Sequence, residues 1–399
     1  MHLLFLYDVF ILGGIETLVS RMSKWLLERK HSVTLLIGKH TEAPQLLPSS
    51  VRVLSLGKTT LHYDMSDNQR SLSLLTAEES IPIDIIFSLS RNTLPLALFL
   101  SSRLASRPNI LVGIYNPWDY LKSNGHILPL YRIRNSLFYQ TLPDANKLFM
   151  SAGIRRLHEI STQRNLQKAR VWPLPINSQM GSAGMPRKPV HGKIVSVGRL
   201  DRMKSYNIYM VDVVKELLQR GYKVTYDISG EGPLRERIEE KIRTCKMEKY
   251  IHLRGQMDYE ETEKTLSDAF VFVGMGTAVI EAAMCGVPSI PAIASATEPL
   301  TYGFLQDLPF GSCGEMLDTP PTLHISDILE KLLNASSAQY DSCVKGSRDA
   351  ALEYDSEELM PTFLSYCEES IPCRPPYWLD ILTSMLSARN RLMSLVRFK

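Results

Sequence analysis

Short apolar runs, each followed by a helical stretch, recur along most of this chain, and the pattern stops once and then restarts. The first series is "HLLFLYD" (2–8), "SVTLLIG" (32–38), "VRVLSL" (51–56), "IDIIFSL" (83–89), "ILVGIY" (110–115), "KLFMS" (147–151) and "RVWPL" (170–174). Strands that alternate with helices at this spacing predict a parallel sheet covered on both faces. The stretch "NSQMGSAGMPRKPVHG" (177–192) has no apolar period and is rich in Gly, Ser and Pro, so it reads as a linker. Beyond it the alternation resumes with "KIVSVG" (193–198), "KVTYDIS" (223–229), "YIHLRG" (250–255) and "AFVFV" (269–273). Between them lie helices near 205–220, 234–245 and 259–268. Two α/β domains in tandem follow: 1–178, a linker at 179–192, and 193–350, with a helical segment at 351–399. A chain of 399 residues is long enough for two cores.

Composition narrows the class. Hydrophobic residues make up 44% and charged residues 22%, ordinary values for a water-soluble globular chain. No apolar run approaches a membrane span, and the start lacks a basic flank and a small-residue cleavage site. None of the six cysteines forms a C-x-x-C pair, so neither a metal site nor a disulfide framework is expected, and a cytoplasmic setting fits. A net charge of +3 with no recognisable module argues against nucleic acid as a partner. Residues 1–175 hold 20 Lys and Arg against 12 Asp and Glu. A basic first half either meets an anionic surface or acceptor, or is scattered solvated charge.

Open α/β sheets bind ligands beyond the carboxyl ends of their strands. Four strand ends carry candidate chemistry. In "FILGGIETLV", Gly13 and Gly14 precede a helix; they either admit a ligand to its N–H groups or form an ordinary turn. In "VSVGRLDRMKS", Gly198 closes a strand, and Arg199 and Lys204 can converge on one diphosphate. In "DISGEGPLRERI", Gly230 and Gly232 make a tight turn before a proline that starts a helix. In "AFVFVGMGTAVIEAAMCGVPSI", a strand breaks at Gly274 and Gly276, Thr277 opens a helix, and Glu281 sits a turn inside. That carboxylate can accept hydrogen bonds from a ribose diol, or simply be solvated. The spacing G-x-G-x-x-V resembles a dinucleotide fingerprint, with Glu298 about twenty residues on, but it is a weak match. The third glycine is missing, and the helix is cut short at Gly286.

Together "GGIETLV", "LLERKHSVTLL", "VGRLDRMKS", "GEGPL", "IHLRGQM" and "VIEAAMCGVPSI" stand in the order and spacing of family 4, the retaining glycosyltransferases of GT-B fold. The resemblance runs from about residue 2 to 315 and is densest over 193–290. It implies two Rossmann-like domains facing across a cleft, the first on the acceptor side and the second holding a nucleoside-diphosphate sugar. It implies Arg199 and Lys204 on the donor diphosphate, Glu281 on the ribose, and donor contacts from Gly13, Gly14, Gly198, Gly230, Gly232, Gly274, Gly276 and Thr277. No cofactor or metal ion is called for: the donor, UDP- or GDP-linked, is a substrate, and no Asp-x-Asp motif lies in a suitable loop. The product would be a bacterial surface polysaccharide, a lipopolysaccharide or another glycolipid.

Two positions depart from the family. The first Glu of its E-x7-E motif falls on Val273. Asn116, in "GIYNPWDYL", stands where related chains often carry His; it is either a stand-in catalytic group, with Asp119 close by, or a plain turn residue. The nearby His126 reads as a loop residue. The stretch 120–140 mixes aromatics, leucines and basic residues. It suits either a membrane surface or lipid-linked acceptor at the inner face of the plasma membrane, or a plain surface helix. The tail 377–399 has helical apolar spacing and, in the fold resembled, crosses back to the first domain. Other uses of such a fold are a nucleotide-sugar epimerase, a phosphorylase, or a silent nucleotide-sugar-binding partner.

Overall fold

The structure is a computed structural model that describes residues 1–10, 13–40, 46–57, 65–77, 81–121, 129–177, 187–258, 261–379, 381 and 384. Most of the 177–192 linker, most of the 377–399 tail, and His126 lie outside the described residues. The chain divides into two units, Met1–Trp172 with Met360–Lys399, and Pro173–Leu359.

The first unit carries seven strands: β1 (His2–Phe10), β2 (Ser32–His40), β3 (Arg52–Ser55), β4 (Ile85–Ser88), β5 (Asn109–Ile114), β6 (Lys147–Phe149) and β7 (Arg170–Val171). They lie in the order β3-β2-β1-β4-β5-β6-β7, every pairing parallel. Each of the seven apolar runs of the first half is a strand. Leu3, Leu4, Phe5 and Leu6 are all buried. A central parallel strand covered on both faces reads as a continuous apolar run for this reason. The helices are α1 (Gly14–Glu28), α2 (Met65–Thr76), α3 (Leu94–Arg103), α4 (Pro129–Ser136) and α5 (Ala152–Thr162).

The second unit has the order β10-β9-β8-β11-β12, again all parallel. Its strands are β8 (Lys193–Val197), β9 (Thr225–Ser229), β10 (Ile251–Gly255), β11 (Val271–Gly274) and β12 (Ser289–Pro291). A two-stranded antiparallel pair, β13 (Leu300–Thr301) and β14 (Leu323–His324), lies beside it. Periodicity predicts no strand beyond β11; β12 is only three residues long, follows Pro288 directly and ends on Pro291, which masks its apolar signal. Its place at the sheet edge explains the tolerance, since an edge strand can spare a ladder N–H.

The helices of this half are α6 (Tyr206–Gln219), α7 (Arg235–Cys245), α8 (Thr262–Leu266), α9 (Thr277–Met284), α10 (Ile325–Leu333) and α11 (Ser337–Leu352). A last helix, α12 (Ser356–Glu368), follows. Tyr206, Met210, Val214, Ile228, Val271 and Ile290 belong to one buried cluster.

Residues near the expected domain boundaries have specific partners. Ile176 donates its N–H to Tyr354 O (2.7 Å), and Ser356 donates to Ile176 O (2.8 Å), so the chain just past Trp172 is tied to the second unit. Lys188 and Val190 donate to Ser267 O and Asp268 O, each at 2.9 Å, so the described end of the linker is also bound there.

Candidate functional site

In the second unit the loops that leave β8, β9 and β11 meet beyond the carboxyl edge of the sheet. The first contact is between backbones. Gly198 donates to Ser229 O, and Leu200 to Glu231 O, each at 2.9 Å. A Cβ on Gly230 would lie 2.0 Å from Gly198 O, and one on Gly232 2.5 Å from Leu200 O. Both residues also have φ near +150°, a conformation that suits only glycine. Gly230 and Gly232 therefore have a packing role: they let the β9 loop press against the β8 loop.

The β8 loop then turns. Asp201 accepts hydrogen bonds from the N–H of Met203 (3.0 Å) and Lys204 (3.3 Å), closing a short 3-10 turn over Arg202–Lys204. This side-chain cap folds Lys204 back across the strand end. A Cβ on Gly198 would stand 2.0 Å from Lys204 Nζ, so the ammonium occupies the room that glycine leaves. Burial lowers the pKa of Lys204; the charges of Asp201 and Glu281 work in the opposite direction, while Arg199 adds to the lowering. Among the described residues the ammonium makes no hydrogen bond and no ion pair. Arg199 is more exposed, with 58% of its side chain in solvent, and its Nη2 lies 3.7 Å from Asp201 Oδ2. Glu281 is buried in α9, in electrostatic reach of Lys204. The fold thus brings Arg199, Lys204 and Glu281 together.

The β11 loop completes the edge. Gly276 precedes α9, and its N–H is taken by Cys313 O at 2.6 Å. The N–H groups of Thr277 and Ala278, in the first turn of α9, find no acceptor among the described residues. Gly274 carries the last β11 position, where its carbonyl accepts from Ala292 N–H (2.7 Å). Val273, where the family pattern places a glutamate, is fully buried within the core cluster, and its carbonyl accepts from Ser196 Oγ. A carboxylate there would be stranded among apolar side chains.

Two contributors escaped sequence reasoning. Asp201 is legible in the sequence as an acceptor three residues before Lys204, beside the two cations. Glu315, buried and accepting from Cys313 N–H at 2.9 Å, comes from a loop with no periodic signal.

The other expected residues lie in the first unit. Gly13 caps α1 in an extended conformation (φ −173°) and accepts from Thr17 N–H at 3.0 Å; Gly14 is the first helical residue. Asn116 follows β5, and its Oδ1 accepts from Trp118 N–H at 3.0 Å, so that oxygen holds its own turn. The Asp119 carboxyl is pushed up to about 6, chiefly by burial; Asp8 adds to the rise and Arg91 opposes it. Behind this turn, buried His158 donates from Nε2 to Pro117 O (3.1 Å) and accepts at Nδ1 from the Tyr139 hydroxyl (2.8 Å). That pairing fixes the neutral tautomer, and burial lowers its pKa to about 4. No group of three or more His, Cys, Asp or Glu among the described residues could hold a metal ion. No described helix is long and apolar enough to cross a membrane.

Two parallel-sheet α/β units of this kind define a class: the architecture matches solved GT-B glycosyltransferase structures. Sucrose-phosphate synthase from Thermosynechococcus elongatus superposes with a TM-score of 0.67 at 14% identity, covering 92% of this chain and 98% of that one. Anabaena HepE, solved in complex with UDP and glucose, gives 0.66 at 14% identity, covering 92% and 99%. In sequence, residues 187–302 match the family model for glycosyl transferases group 1. The chain is 28% identical over 103 residues to 2-deoxystreptamine N-acetyl-D-glucosaminyltransferase from Niallia circulans. It is 26% identical over 120 residues to the putative colanic acid biosynthesis glycosyltransferase WcaL of Escherichia coli K12. These alignments span 24% and 27% of this chain, and 26% and 29% of the relatives.

Proposed function

We propose that this chain is a glycosyltransferase that moves a sugar from a nucleoside-diphosphate sugar to a hydroxyl of a glycan or lipid-linked acceptor, with retention at the anomeric carbon. The observation that carries this reading is Lys204. An ammonium enclosed at a strand end, with no hydrogen bond or ion pair among the described residues and a guanidinium beside it, suits an anion. It falls within the stretch that matches the group 1 family model.

The chemistry follows from charge. Breaking the sugar–phosphate bond leaves negative charge on the departing diphosphate. Lys204 and Arg199, already oriented, would stabilise that charge as it develops, with the Thr277 and Ala278 N–H groups as further donors. Glu281 would accept hydrogen bonds from the ribose hydroxyls. UDP is the nucleotide to try first, because HepE was solved with it. Surface polysaccharide or glycolipid assembly, at the inner face of a membrane, is the setting this reading suits.

A second reading has one observation in its favour. With Val273 where the family pattern has a carboxylate, the chain would bind a nucleotide sugar without turning it over, as a partner of another transferase. Labelled UDP- and GDP-sugars incubated with and without glycan acceptors distinguish the two. Release of nucleoside diphosphate that rises with acceptor supports transfer; binding by calorimetry without release supports the silent partner. Failure to bind either nucleotide rejects both.

A further inference from the structure

The core of the second unit holds a line of polar side chains at positions that face its apolar interior. Ser196 in β8, Tyr226 in β9 and Asn207 in the first turn of α6 are each no more than 1% exposed. Tyr226 donates its hydroxyl proton to Asn207 Oδ1 (2.7 Å). The Ser196 hydroxyl lies 2.7 Å from the Tyr226 oxygen and reaches Val273 O in β11. Asn207 Nδ2 donates to Lys204 O at 3.2 Å. The orientation of the amide follows from its partners, a carbonyl facing its nitrogen and a hydroxyl facing its oxygen. One buried series of contacts thus runs from Val273 to the backbone of Lys204.

Apolar side chains of the same shape would fill these places at little loss of stability, because pairing buried polar groups mainly recovers what their desolvation costs. What the polar series adds is position. The short turn over Arg202–Lys204 is held from several sides. Asp201 caps it, Asn207 takes the Lys204 carbonyl, Ser295 N–H donates to Met203 O (2.9 Å), and Ser205 Oγ donates to Ala296 O (2.8 Å). The Asn207 contact continues through Tyr226 and Ser196 to β11, whose loop at Gly274–Gly276 leads into α9. The Lys204 turn and the start of α9 are therefore joined through one packed linkage. Charge-assisted bonds weaken steeply when donor and acceptor drift apart by an ångström, so this spacing decides whether both ends can serve one anion.

We propose that Ser196, Tyr226 and Asn207 are positioning residues of the anion site: they fix the Lys204 turn against β11, so that the ammonium and the α9 N–H groups meet one diphosphate together. The assignment rests on the donor reading above. It is tested on the full chain by calorimetric titration with UDP and GDP, beside a thermal melt of each free variant. Tyr226→Phe and Asn207→Leu should each lower nucleotide affinity by about three- to tenfold, the scale of one neutral hydrogen bond. When the two are combined, both partners of the bond are gone; the melting temperature should then hold while the affinity loss persists. In a Lys204→Ala background the same substitutions should change affinity by less than about twofold, because the group they position is absent. Unchanged nucleotide affinity in both single variants overturns the assignment. So does an equal loss with and without Lys204, or a loss that only tracks a fall in melting temperature. No binding of UDP or GDP by the native chain removes the donor reading itself, and the assignment falls with it.

Discussion

Under the proposed function, Lys204 is the residue where stability and ligand binding pull apart. Its ammonium sits over Gly198 without a hydrogen-bond partner among the described residues, a cost to the folded state that a bound diphosphate would offset. Lys204→Ala should therefore lower UDP affinity by about ten- to a hundredfold, the usual scale of a lost charge-assisted bond. The melting temperature of the free protein should stay level or rise. Calorimetry and a thermal melt on the same preparation check both; a large fall in melting temperature with unchanged UDP affinity would make the lysine structural. The sequence placed Arg199, Lys204 and Glu281 because charged residues just past strand ends are few. It left Gly230 and Gly232 ambiguous between ligand contact and turn. What decides their packing role is the backbone of Gly198 and Leu200, thirty residues away and invisible to local reading.

At the scale of elements, the β5 turn and α5 carry two titrations of opposite sign. His158 has its pKa lowered from 6.5 to about 4, so the stability of its neutral form is present above 6.5 and lost as pH falls toward 4. The same holds in reverse for Asp119, raised from 3.8 to about 6: the fold favours its protonated form, and stability is lost as pH rises through 6. Lys147 also acts on His158, and Arg91 and Asp8 act on Asp119. Between pH 4 and 6 the two effects largely cancel. Asp119→Asn removes one of them, so melting temperatures for that variant should fall more steeply from pH 6.5 to 4 than for the native chain. At pH 8 the variant should melt higher. Parallel pH-dependent profiles would contradict the assignment. None of this was legible from "YNPWDY", because the burial that shifts both groups comes from distant elements.

At the scale of the whole molecule, the first unit is closed by the far end of the chain. Phe363, in α12, is fully buried, 4.8 Å from the Trp172 ring and 5.2 Å from Phe87. Asn146 donates to Ile371 O (2.8 Å) and accepts from Ile371 N–H (2.9 Å), and Asn109 donates to Ser370 O (3.0 Å). Phe363→Ala should cost about 3–5 kcal/mol, the scale of emptying a buried aromatic site. In urea, the lost stability should appear in the transition followed by Trp172 emission. An unshifted transition would show that the C-terminal chain is not part of that core.

Periodicity and strand-end chemistry were enough to establish two parallel α/β sheets and to single out three charged residues that the fold brings close together. Both are local signals: apolar runs mark buried strands, and a turn's residues are written in order. Tertiary structure alone settled which glycines pack and which leave room for an ammonium, why Val273 lies in a core, and which carboxylate and histidine change their proton affinity. Those outcomes depend on burial and on contacts between residues far apart in the chain, which no window of sequence contains.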